Sequence, residues 1–168
     1  MTPLHRLLLV LLTLALSAGQ PARAQDELTV SELSALDRHY MQSQRQQLNE
    51  LAARHYGRQF TGDRERDLAL MQRLLDEGVV RGNQTGLLQG MGIVLGDLLA
   101  ADLDLDWVVY EDRAGRSRAL RYRETDSYLF PVTMISRRRE VGNTTPVSEI
   151  YRKAEASIRS SIPPLPFQ

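Results

Sequence analysis

The sequence predicts an α+β fold: an N-terminal helical pair and a central glycine-bearing helix packed on a small three-stranded antiparallel sheet, with a C-terminal helix. Three observations carry this. Apolar residues recur at helical spacing up to about residue 101. From Trp107 the pattern changes to short runs rich in β-branched and aromatic residues, separated by turn residues. After Pro146 a helical segment returns.

The elements follow in order. Residues 1–24 have a short start with His5 and Arg6, an apolar run over residues 7–16, and the small-x-small triplet Ala22-Arg23-Ala24. This is the pattern of a secretory signal peptide, with cleavage expected before Gln25. The apolar run is shorter than the ~20 residues that span a bilayer. Residues 25–161 are expected to form a single α+β domain, a length that supports one real core. The Pro-rich residues 162–168 are expected to be an extended, disordered tail.

A long helix is expected over residues 29–56, with Thr29 and Glu32 at capping-box spacing and Gly57 as its C-terminal glycine. Its stripe is Leu33, Leu36, Tyr40, Leu48, Leu51 and His55, with Gln44 as a polar gap. A loop over residues 58–62 leads to a second helix over 63–77, presenting Leu68, Met71, Leu74 and Leu75 and ending at Gly78. A loop so short predicts an antiparallel pair. The third helix is expected over residues 84–101. Strands are expected at 107–110, 117–123 and 128–130, a short helix from Pro131 to Arg139, and a last helix over 148–160.

Composition limits the function. Removing the leader takes away Arg6 and Arg23 and leaves 19 basic against 21 acidic side chains. Such a balance provides no global field toward nucleic acid or anionic lipid. The chain has no cysteine, so disulfides, thiol chemistry and cysteine metal sites are excluded. No transmembrane segment is expected once the leader is removed, and no cofactor is implied.

Several motifs resemble sites and fail on context. Gly90, Gly92 and Gly96 have the spacing of a dinucleotide turn, but that turn needs a buried strand directly before it. Here Leu87, Leu88, Met91, Val94, Leu95, Leu98 and Leu99 run through the glycines at helical spacing. The glycines therefore lie within a helix, where each costs about 1 kcal/mol relative to alanine. Close backbone approach by another element is the expected reason, with Gly86 and Gly90 on one face and Gly92 and Gly96 on another. Asp102, Asp104 and Asp106 open like a calcium loop, yet Trp107 and Arg113 occupy positions that need glycine and glutamate. Ser117 in Gly-Arg-Ser-Arg-Ala lacks the strand–turn–helix of a nucleophile elbow. His39 and His55 lie roughly 24 Å apart along one helix, too far to share a metal or a triad.

Two basic clusters remain: Arg113, Arg116, Arg118, Arg121 and Arg123 on the first hairpin, and Arg137, Arg138 and Arg139 before Glu140. Their simplest role is a solvated face paired with nearby acids. The sharper alternative is an anion-binding groove, and Arg121, Arg137, Arg138 and Arg139 are the candidate contacts for a partner or an anion. Three consecutive arginines cannot all point one way on a helix, so at least one is expected to turn inward to a buried carboxylate.

Leu95-Gly96-Asp97, Asp106-Trp107-Val108-Val109, Ala119-Leu120-Arg121 and the stretch from Phe130-Pro131 through Met134-Ile135 to Arg137-Arg138-Arg139-Glu140 occur in a distinctive order. Over residues 84–149 the chain resembles the bacterial family called domain of unknown function 3806. The resemblance implies one compact α+β unit and an exported bacterial origin; it supplies no catalytic residues. The expected function is that of a non-catalytic periplasmic or secreted protein that binds a protein partner or a cell-envelope component. The alternative is a small envelope hydrolase with a carboxylate/arginine site built from Asp97, Glu111, Arg121 and Arg137.

Overall fold

The structure is a computed structural model and describes residues 28–161. The expected leader cleavage and the Pro-rich tail lie outside the described residues. A short strand β1 (Thr29–Glu32) leads into helices α1 (Ala35–Tyr56), α2 (Arg64–Asp76) and α3 (Thr85–Leu103). Then come β2 (Leu105–Asp112), β3 (Gly115–Tyr122), β4 (Tyr128–Leu129), a 3-10 turn (Pro131–Thr133), α4 (Ser136–Glu140) and α5 (Val147–Arg159). The class is α+β as the sequence predicts. The sheet has four antiparallel strands in the order β1-β2-β3-β4 rather than three.

The added strand corrects the expected start of the first helix. Thr29 to Glu32 pair with Glu111 to Val108 of β2, so Thr29 and Glu32 are strand residues. The capping box belongs to Ser34 and Asp37 instead: the Asp37 amide donates to Ser34 Oγ and the Ser34 amide to Asp37 Oδ2, each at 3.1 Å. Both positions fit the same sequence signature. Pairing with β2, some 80 residues away in sequence, decides between them and leaves Leu36 76% exposed. The buried positions of α1 are Asp37, Met41, Leu48 and Ala52.

The helical pair is also rearranged. The chief partner of α1 is α3, and α2 packs on α5. α3 is the centre of the molecule. It is long and apolar enough to cross a membrane by composition alone, yet Leu88, Met91, Ile93, Leu95 and Leu99 are fully buried within the protein. Three of its glycines admit neighbours. A Cβ on Gly90 would lie 3.3 Å from the Gln44 carbonyl of α1. On Gly92 it would strike the carbonyls of Pro131 and Val132, and on Gly96 the Trp107 indole and the Pro131 ring, all closer than 3.0 Å. The expectation of close approach therefore holds at these three positions. It fails at Gly86, where a Cβ would meet nothing within 4 Å.

One face of the sheet packs on this core through Leu105, Val109, Leu120, Tyr122 and Leu129. The expected short helix after Pro131 divides into the 3-10 turn and α4, with Ile135 buried between them.

Candidate functional site

Two polar knots and one aromatic cluster surround the sheet. The first knot is at the turn end of the β2–β3 hairpin. Asp37, 1% exposed, accepts both terminal nitrogens of Arg116, at 2.9 and 2.6 Å, and lies 2.9 Å from Arg118 Nη2. Ser34 Oγ donates to the same carboxylate at 2.6 Å. The Arg116 hydrogen bonds hold the Asp37 carboxyl well below the usual carboxylate range, and the Ser34 bonds act in the same direction against burial. Alternation along β3 places Arg116 and Arg118 on one side of the sheet, toward α1. Arg118 lies over the Tyr40 ring at 4.2 Å, and the Tyr40 hydroxyl donates to Gln89 Oε1 of α3 at 3.2 Å. Beside this knot is a cavity of about 180 Å³, walled by Gln89, Ser117, Phe130, Val132 and Thr133 together with the two arginines.

The second knot ties α1, α3 and β2. Arg45 Nε and Nη2 donate to Asp97 at 2.6 and 2.7 Å, and Trp107 Nε1 donates to the same carboxylate at 3.0 Å. Since the Trp107 ring also fills the notch at Gly96, Asp97 orients the indole that the glycine admits. A cavity of about 220 Å³ lies between Asp97 and Asp67. Asp67 accepts the amides of Thr61 and Gly62 and so fixes the loop before α2. A larger hollow, about 620 Å³, is an open furrow along α2 and that same loop. Its Arg73 is paired with Glu77 at 2.7 Å.

The aromatic cluster is on the other face of the sheet. Tyr110 meets Tyr128 and Phe130 edge-to-face, with ring centroids 5.0 and 5.1 Å apart. Arg121 lies 5.6 Å from the Tyr128 centroid and donates from Nε to the Thr125 carbonyl. Phe130 is 37% exposed.

The candidate contacts named from the sequence are dispersed. Arg121 belongs to the aromatic cluster. Arg137 is exposed on α4, while Arg138 donates to the Met134 carbonyl and Arg139 to the Thr145 carbonyl. The arginines that turn inward thus meet backbone carbonyls rather than a buried carboxylate, and Arg139 Nε is buried without a partner. A carboxylate/arginine site is not assembled either. Glu111 pairs in register with Arg116 and Arg121 with Asp106, which separates Glu111 from Arg121 by roughly 17 Å along the ladder. The three aspartates of the calcium-like run part company: Asp102 accepts from Tyr151 and Arg64, Asp104 ends α3 in the left-handed region at φ 54°, and Asp106 faces Arg121. Among the described residues no group of three His, Asp or Glu side chains could hold a metal ion. His39 and His55 are exposed on α1, and Ser117 lies within β3.

Asp37, Tyr40 and the pairing of Arg116 with Arg118 escaped the sequence reading. The available signal was Ser34-x-x-Asp37, a second capping-box match five residues after the first.

The family model described as Domain of unknown function (DUF3806) matches residues 67–151. The fold is similar to a crystal structure from Bacteroides thetaiotaomicron VPI-5482, with a TM-score of 0.67 and 16% identity over 80% of this chain. The chain spans 50% of that protein's length. Among curated proteins none matches this sequence.

Proposed function

We propose, for a chain that belongs to the DUF3806 family, that it is an exported, non-catalytic module that docks a partner protein on the outer face of its sheet. The carrying observation is the Tyr110–Tyr128–Phe130 cluster. Tyr110 and Tyr128 project from the face opposite the buried one, with Phe130 against them. Sheet faces turned away from a core are ordinarily polar, and here Val30, Val108, Tyr110 and Tyr128 are only half-buried. Tyrosine, phenylalanine and arginine together are the composition of an interface hot spot. Arg121 at the margin fits a partner segment that carries an apolar anchor next to an acidic residue. The signal-peptide pattern over residues 1–24 supports export.

The test is site-specific photo-crosslinking in intact cells, with a benzophenone amino acid at position 130 and a control at the exposed position Arg152 on α5. A discrete adduct from position 130, absent from 152 and lost in Tyr110→Ala/Tyr128→Ala, is expected. An adduct with a second copy of this chain, or none specific to position 130, overturns the reading.

A further inference from the structure

We propose that the cavity beside Arg116 and Arg118 is a binding site for a small carboxylate. It shares Phe130 with the docking face but does not rest on that reading. Asp37 is saturated by Arg116, which gives it two hydrogen bonds, and by Ser34, which gives two more from its amide and hydroxyl. Arg118 therefore adds its charge to a carboxylate already satisfied: its Nη2 is within ion-pair distance of Asp37, and its Nε is buried with no partner. Stacking on Tyr40 occupies a face of the guanidinium and Nη2 is turned to Asp37, which leaves Nη1 as the nitrogen to meet a ligand in the cavity. The knot thus holds two cations against one buried anion. Glu111, exposed on β2, is across β3 from the cavity and answers Arg116 from that side.

The walls narrow the ligand class. With Glu111 exposed and set against Arg116, the positive charge that faces the cavity is that of Arg118 alone, which matches a monoanion rather than a phosphate dianion. A guanidinium nitrogen flanked by hydroxyl donors matches a carboxylate, which accepts a charge-assisted hydrogen bond on one oxygen and neutral ones on the other. Ser117 and Thr133 bring hydroxyls, and Gln89, whose Oε1 is taken by Tyr40, has its amide nitrogen left to donate. Phe130 and Val132 form the apolar part of the wall, suited to a short carbon skeleton, and about 180 Å³ is room for a ligand of a few heavy atoms. The site is preformed, because Tyr40 and Asp37 hold Arg118 in place from two directions.

The carboxylate could be a free short-chain acid or the C-terminus of a peptide. The experiment titrates the folded protein, followed by amide and arginine side-chain NMR, with propionate and with a tripeptide ending in a free carboxylate. Propionamide and the amidated tripeptide serve as neutral controls at constant ionic strength. Saturable shifts at Ser117, Arg118 and Thr133 are expected with the acids and not with the amides. Stronger binding of the peptide assigns a chain end, and equal or weaker binding a free acid. Arg118→Gln leaves Asp37 paired with Arg116, so the variant keeps its fold, and it should weaken binding at least about tenfold through loss of a charge-assisted contact. Absence of saturation up to about 50 mM, far weaker than a millimolar site, overturns the proposal. So does an equal response to the amides, or unchanged affinity in Arg118→Gln.

Discussion

Gly92→Ala tests how α3 is packed. The added methyl would enter a space already occupied by the carbonyl oxygens of Pro131 and Val132. Both are backbone atoms of a turn whose first residue is proline, so neither can rotate aside. Alanine gains about 1 kcal/mol of helix propensity; overpacking of this kind costs typically about 1–3 kcal/mol and occasionally more. With two carbonyls to displace, the cost belongs at the upper end, and the net loss should be about 2 kcal/mol. Gly96→Ala meets side chains instead, the Trp107 indole and the Pro131 ring. They can yield further, although the indole is tethered to Asp97, so a net loss of about 1 kcal/mol is expected. Gly86→Ala is the internal control: with nothing within 4 Å of its Cβ, it should stabilise by up to about 1 kcal/mol. Urea denaturation of the three variants measures these values, a 2 kcal/mol loss moving the midpoint by roughly 1 M at unchanged slope. A Gly92→Ala protein as stable as the wild type, or a Gly86→Ala protein less stable than Gly92→Ala, would refute the packing account.

Three further outcomes are expected. Asp37→Asn should cost about 2–3 kcal/mol at neutral pH, a buried-pair loss reduced because Arg116 is partly solvated. Because the folded-state pKa of Asp37 is depressed, its contribution is fully present above the unfolded value near pH 4 and fades as pH falls toward the folded value; the variant should lose that acid dependence in pH-resolved denaturation, and an unchanged acid limb would contradict the pairing. Trp107→Phe keeps a ring at Gly96 but deletes the hydrogen bond to Asp97, so a loss of about 1–2 kcal/mol is expected by thermal unfolding, with Trp107→Ala nearer 3 kcal/mol; equal stability of Phe and wild type would remove the role given to the indole nitrogen. N-terminal sequencing of the protein recovered from the periplasmic or secreted fraction should begin at Gln25, and a soluble mature form that retains Met1 would contradict the signal-peptide reading.

The sequence by itself determined the fold class, the helical nature of the Gly90–Gly96 stretch, the Trp107 strand, the hairpin and the last helix. These follow from local periods and turn residues, which act over a few positions and survive in any tertiary context. Family membership was legible for a similar reason, since the order from Leu95 to Glu140 is a linear pattern. Tertiary structure decided the rest. Thr29–Glu32 and Ser34–Asp37 both match a helix start, and only the ladder with β2 selects between them. α1 and α2 are joined by a short loop, yet each finds a better apolar surface elsewhere, on α3 and α5. The arginines of the hairpin are equivalent in one dimension. Strand alternation sends Arg116 and Arg118 to Asp37 on one side and Arg121 to Tyr128 on the other, and α4 spends Arg138 and Arg139 on backbone carbonyls. Charge clustering in sequence does not report a site, because a guanidinium's chemistry depends on which carboxylate, ring or carbonyl the fold brings within about 3–4 Å of it.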